Sequence, residues 1–194
     1  FTAGRPVDPP DPTKPYRVTR HIYRFDSIGY LDPAVQDIYV IPAEGGEARA
    51  LTDDPCINAN PRWSPDGTEI LYLASMQPDS HRGMHPRLRV VTVSNCQTRE
   101  VVGDWGAVYG AQWLPDGKRI LAAWAGDSGQ NEDELNFAVI PVGGGSPVKL
   151  FKIPDVKEAA TRLIVGMAVN GENLFLSGKD GEFLKLDLRT GAIK

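Results

Sequence analysis

One eleven-residue stretch occurs twice in this chain. Pro61-Arg62-Trp63-Ser64-Pro65-Asp66-Gly67-Thr68-Glu69-Ile70-Leu71 returns as Ala111-Gln112-Trp113-Leu114-Pro115-Asp116-Gly117-Lys118-Arg119-Ile120-Leu121. Both tryptophans, both Pro-Asp-Gly turns and the following Ile-Leu keep register at a spacing of 50 residues. A turn motif repeated at a fixed interval constrains a chain to stack like units, because one unit cannot bury its own apolar face. A third, decayed copy runs from Gly166 to Phe175, keeping the turn glycine and placing Ala168 at the tryptophan position.

A second element restarts between these turns. Ile38-Tyr39-Val40-Ile41-Pro42 leads to Gly45-Gly46, and Leu88–Val93 leads to Asn95-Cys96. Phe137–Val142 leads to Gly143-Gly144-Gly145, and Phe183–Leu188 leads to Thr190-Gly191. Each unit reads as four short strands. The first ends at the tryptophan and turns where Pro fixes φ and Gly accepts positive φ. The second, over 68–74, is a near-continuous apolar run expected of a strand covered on both faces. The third ends at Asn95, a residue that tolerates the left-handed conformation. The fourth, around Arg99–Val102, is short and polar, as suits an outer edge. Four antiparallel strands repeated every 40–50 residues are the signature of propeller blades. The fold class is therefore all-β: a partial β-propeller of about three to four four-stranded antiparallel blades with a Pro-rich N-terminal tail. The expected divisions are a tail over 1–15, which holds five prolines, an incomplete blade over 16–52, and blades at about 57–102, 107–151 and 163–194. Only 155–163 carries a weak helical period.

A net charge of −4 and a pI near 5.4 supply no basic field for phosphates, so nucleic acid is not an expected partner. No apolar run approaches the roughly 18 residues that span a membrane, and a membrane is not an expected partner either. Phe1 in place of Met is expected of a processed product or a fragment, and localisation stays open between cytoplasm, which is favoured, and periplasm. Cys56 and Cys96 fall on opposite ends of the blades and are expected to be free thiols.

The Trp-Ser-Pro-Asp-Gly turn and Gly45-Gly46-Glu47-Ala48-Arg49-Ala50-Leu51-Thr52 resemble repeats of two groups: the prolyl oligopeptidase family and the periplasmic Tol-associated propeller. Arg17–Tyr30 is similar to a segment of the acylaminoacyl-peptidase type, with Ser27 where a Gly usually follows the Asp. That resemblance covers about residues 16–194 and implies the N-terminal β-propeller portion of a serine peptidase. There the propeller gates access to a C-terminal α/β-hydrolase. It implies, as partners, a chain carrying the remaining blades and the hydrolase domain, and a peptide or acylated small substrate. No Gly-x-Ser-x-Gly nucleophile elbow occurs in the sequence, so no catalytic residue is assigned. The alternative is a non-catalytic binding propeller of the Tol-associated type.

In four-stranded blades the turns after the first and third strands open at one end, and the loops after the second and fourth open at the other. The first set is tight here, and the second holds every long excursion: 53–60, 75–87, 103–110, 125–135 and 152–162. Functional residues concentrate on such loops. Within 75–87, His81, Arg82, His85 and Arg87 are the candidates for substrate or partner contact, the arginines toward a carboxylate. His81 and His85 have a zinc-compatible spacing only on a helix, which Gly83 and Pro86 oppose, so no metal is assigned. The acidic run 127–134 departs from the calcium-loop pattern, and Gly143-Gly144-Gly145 lacks the setting of a phosphate loop. No cofactor is expected. Trp63 and Trp113 are expected to pack between blades.

Overall fold

The computed structural model describes residues 1–5, 11, 13–15, 24–25, 29–30, 35–75, 86–101, 106–126, 135–144, 149–152, 164–178, 183–190 and 192. These residues contain strands and turns and no helix. In chain order, β1 (Thr2–Gly4) is followed by a short hairpin of β2 (Arg24–Phe25) and β3 (Gly29–Tyr30), then by β4 (Gln36–Val40) and β5 (Arg49–Ala50). β1 and β5 flank β4, both antiparallel to it. Joined to β4 by one parallel pair in a single seven-stranded sheet, a four-stranded antiparallel run follows: β6 (Ile57–Trp63), β7 (Glu69–Ser75), β8 (Arg87–Thr92) and β9 (Thr98–Glu100). The next has the same order: β10 (Gly106–Trp113), β11 (Arg119–Gly126), β12 (Leu135–Pro141) and β13 (Lys149–Lys152). The last described sheet has three strands: β14 (Ile164–Asn170), β15 (Asn173–Gly178) and β16 (Phe183–Asp187).

These sheets are propeller blades, and their register corrects the sequence reading at two places. Thr2 pairs with Ile38 as Leu73 pairs with Leu88, so β1 is the second strand of the first blade rather than part of a tail. Its three residues carry none of the turn chemistry that makes the later strands visible. In the last blade Asn170 pairs directly with Asn173 around a two-residue turn, whereas Leu114 bonds Arg119 around four. The shorter turn puts Val169, opposite Leu174, where Trp113 stands opposite Ile120. Val169, not Ala168, therefore holds the tryptophan position. The weak helical candidate at 155–163 lies outside the described residues.

The Pro-Asp-Gly turns are built alike. Asp66 Oδ1 accepts from the Ser64 hydroxyl (2.6 Å), the Thr68 amide (3.0 Å) and the Thr68 hydroxyl (2.9 Å). These bonds, led by that from Ser64, hold its carboxyl below the usual range. Gly67 and Gly117 sit at φ +72° and +64°, a conformation in which a Cβ is strained. At the third-strand turn the left-handed residue is Cys96 (φ +58°); Asn95 acts instead through its side chain, which accepts from the Gln97 amide.

Alternation along each second strand supplies two apolar faces. Ile70, Tyr72 and Ala74 pack toward Ile38 and Leu51 of the first blade. Leu71, Leu73, Leu88 and Val90 pack toward Trp113, Ile120, Ala138 and Ile140. Leu121, Ala123, Phe137 and Val139 pack toward Leu174, Leu176 and Leu186. Close approach is enforced at Gly144, where a Cβ would lie 3.0 Å from the Val101 carbonyl oxygen of the preceding blade.

The same alternation exposes the end of the stack. Phe183 and Phe175 hold the positions of Phe137 and Leu121, yet Phe183 is 78% exposed where Phe137 is 0%. Phe137→Ala is expected to cost about 3–5 kcal/mol, and Phe183→Ala under about 1 kcal/mol in this chain. Denaturant unfolding of the two variants checks this; equal costs would contradict the two-faced stack.

Candidate functional site

Antiparallel order brings the start of each third strand, the end of each second and the entry to each first strand to one end of the blades. This is the end bearing the long loops. Of the four candidate residues, His81, Arg82 and His85 lie outside the described residues. Arg87 opens β8 and pairs with Glu100 of β9 at 2.8 Å, both side chains partly exposed. Cys56 is buried and Cys96 exposed, and neither forms a disulfide.

The same end carries a polar network that the sequence reading did not single out. Arg5, just after β1, grips Asp37 of β4 through Nε (2.5 Å) and Nη2 (3.1 Å). It also donates to the Asp54 carbonyl oxygen (2.9 Å) and pairs with the exposed Asp53 (2.9 Å). Its hydrogen bond to Asp37 raises its pKa further. Asp37, 2% exposed, accepts from the Thr52 hydroxyl (2.9 Å), whose oxygen accepts from the Ile38 amide (3.0 Å). Asn58 Nδ2, at the start of β6, donates to Thr52 (3.2 Å) and to Asp54 Oδ1 (2.9 Å). Asp54 Oδ2 pairs with Arg89 of β8 at 2.8 Å. Six side chains thus run unbroken from the first blade into the second, beside the one parallel pairing of the two blades, Gln36 with Ile57.

Three buried atoms at this junction have no hydrogen-bond partner among the described residues: Asn58 Oδ1, Tyr72 Oη and Arg89 Nε. Burial pushes the Tyr72 hydroxyl up to about 12. Burial, then the Asp54 charge, pushes the Cys56 thiol up to about 11, so it is a protonated thiol near neutrality and no nucleophile. Among the described residues no cluster of three His, Cys, Asp or Glu is placed to hold a metal ion. The junction's chemistry is that of a charge-assisted lock rather than a proton-transfer site.

One signal for the lock was present in the sequence: residue type changes between repeats at several of its positions. Ile38 and Leu88 are equivalent, each accepting at its carbonyl from the fourth strand (Leu51 and Val101), which makes Asp37 the counterpart of Arg87 and Tyr39 that of Arg89. Arg5 was hidden by the tail reading.

Tyr72→Phe removes a buried hydroxyl without breaking a bond among the described residues, so it is expected to cost less than about 1 kcal/mol or to stabilise. The pH dependence follows in sign. Both pKa values are raised in the fold, from 10.0 to about 12 for Tyr72 and from 9.0 to about 11 for Cys56. Their contribution is complete below pH 9 and lost as pH rises through 11 and 12. Thermal melts at pH 8–11 are expected to show less alkaline loss for Tyr72→Phe than for the parent chain.

Removing Arg5 leaves the Asp37 carboxylate buried without its cation, whereas Arg87 serves a water-exposed pair. Arg5→Leu is therefore expected to lower Tm clearly more than Arg87→Leu, measured by circular dichroism under identical conditions.

The chain matches no protein-family model. Over 39 residues, 20% of its length, it is 51% identical to the uncharacterized peptidase YuxL of Bacillus subtilis, and that stretch is 6% of the relative. Among solved structures it is similar to the acylaminoacyl peptidase of Pyrococcus horikoshii (TM-score 0.55, 15% identity), covering 82% of this chain and 27% of that one. It is likewise similar to a protein assigned as TolB from Agrobacterium tumefaciens (TM-score 0.58, 18% identity), with 82% and 55% covered. The β-propeller domain of the trilobed protease of Pyrococcus furiosus matches with TM-score 0.56 at 11% identity, covering 82% and 48%. The chain thus spans only a fraction of each protein it matches, and the structural likenesses establish the propeller fold.

Proposed function

We propose that this chain is a propeller portion of a serine hydrolase of the acylaminoacyl-peptidase type. In this reading it forms part of the wall around a catalytic α/β-hydrolase portion, carried on another chain or a further segment. It limits access to peptides or acylated small substrates and scaffolds the catalytic half. The observation that carries the reading is apolar surface left uncovered near both ends of the stack. Trp63 is 54% and Phe183 78% exposed at positions that are buried one blade further in. Repeat units need neighbours on both faces, so Phe183 calls for a further blade, and Trp63 for completion of the first one. The resemblance of Arg17–Tyr30 and the stretch shared with a peptidase relative support a hydrolase as the owner of those blades. The junction lock suits a scaffold: it fixes the angle between two blades at the loop-bearing end without supplying a nucleophile.

A second reading, a binding propeller of the Tol-associated type facing protein partners through its loops, is favoured by the likeness to the TolB-assigned structure, which covers 55% of that protein. The two part on one experiment, native and denaturing mass spectrometry of the purified protein with a fluorophosphonate serine probe. The first reading expects a larger species with a probe-labelled serine outside these 194 residues. A soluble, monodisperse, unlabelled 21.2 kDa monomer would overturn it.

A further inference from the structure

Trp113 and Trp63 occupy one position in successive blades, yet they are in opposite states. Trp113 is 8% exposed, and its Nε1 donates to the Arg62 carbonyl oxygen at 3.1 Å. Arg62 belongs to β6, the innermost strand of the blade before it. Trp63 is 54% exposed, although Ile70, Tyr72 and Val91 on the same face are at most 2% exposed beneath Ile38 and Leu51. The difference lies in what covers the inner part of that face. The first blade supplies its second, third and fourth strands as β1, β4 and β5, and its innermost strand is not among the described residues.

We propose that Trp63 is the docking residue for that innermost strand: an extended segment lying along β1, onto whose backbone carbonyl the Trp63 indole N–H donates. The accepting residue occupies the position in its strand that Arg62 occupies in β6. This deepens the multi-blade reading above by naming the partner's chemistry. A carbonyl and an apolar strand surface receive the indole, with no side-chain complement required of the partner at the hydrogen bond. The interface is continuous with the Ile38–Ile70–Tyr72 layer already formed between the first two blades. An indole suits it because the ring fills the seam between blades while its one polar atom is satisfied by backbone.

The test uses the protein in the assembly in which it is isolated. The emission of Trp63 is the difference between the parent protein and Trp63→Phe, and that of Trp113 comes from Trp113→Phe in the same way. Acrylamide is expected to quench Trp63 as weakly as Trp113, and Trp63→Arg is expected to lower Tm by roughly 4 °C or more. Quenching of Trp63 like a free indole, with an unchanged Tm for Trp63→Arg, would overturn the proposal. Shielding that requires only this chain, lost on dilution to monomer with no other polypeptide present, would make the occupant a second copy and also overturn it. A protein in which Trp63 is shielded while no serine is labelled would uphold this docking and sink the hydrolase reading, so the two failures are separable.

Discussion

Burial of each sheet on both faces is the constraint on which this structure depends. A second strand such as β7 puts Ile70, Tyr72 and Ala74 on one face and Leu71 and Leu73 on the other, all nearly sealed from water. Fully burying an Ile or Leu is worth roughly 1.5–3 kcal/mol, but only while a neighbouring sheet is present. Stability is therefore held in the seams between blades, and a blade at either end of the stack realises half of what its sequence offers. Phe137 and Phe183 show this directly, being the same residue type at the same register position with opposite exposure.

Apolar seams fix separation better than they fix angle, because dispersion and burial are non-directional. Directional bonds supply the rest. Between the second and third blades, Arg99 of β9 spans Glu69 (3.0 Å) and the Val142 carbonyl oxygen. Between the third and fourth, Arg119 joins Asp116 (2.5 Å) and Glu172 (2.9 Å). Both sit at the end of the tight turns. The lock from Arg5 to Arg89 lies at the opposite end and is far better buried at its centre, with Asp37 and Asn58 at 2% and 0% exposure. The first two blades are thus tied at both ends, by the lock where the long loops emerge and by Arg49 of β5 donating to the Val93 carbonyl oxygen (2.8 Å) at the tight turns, and the later pairs where the turns close.

How much of this was legible follows from where the chain carries distinctive chemistry. The Pro-Asp-Gly turns need a particular backbone, so they announce the blades and their spacing in the sequence. β1 has no such mark: Thr-Ala-Gly is identified as a strand only by the edge of β4 it covers. The decayed fourth blade misled for a related reason, since a turn shortened by two residues moves the equivalence from Ala168 to Val169 while leaving the glycine in view. Of the site, Arg87 was found because it borders a long loop. Arg5, Asp37, Asp54 and Asn58 were not, because their significance is pairwise across as many as 49 residues of chain, and no local pattern encodes it.

What the lock implies for function is a matter of cost. A buried charge pair seldom adds net stability over a well-packed apolar pair of the same shape, since desolvation offsets the attraction. A repeat protein that elsewhere seals its seams with Leu, Ile and Val, but places Asp37, Asn58 and Arg89 at one junction, has departed from its own cheapest solution. The return on that departure is geometric: charge-assisted bonds hold an orientation that aliphatic packing leaves soft. In a propeller that walls a chamber, the angle between blades sets how wide the loop-bearing end stands. On the function proposed above, a junction stiffened there, next to the loops, is where such a wall would need to resist opening.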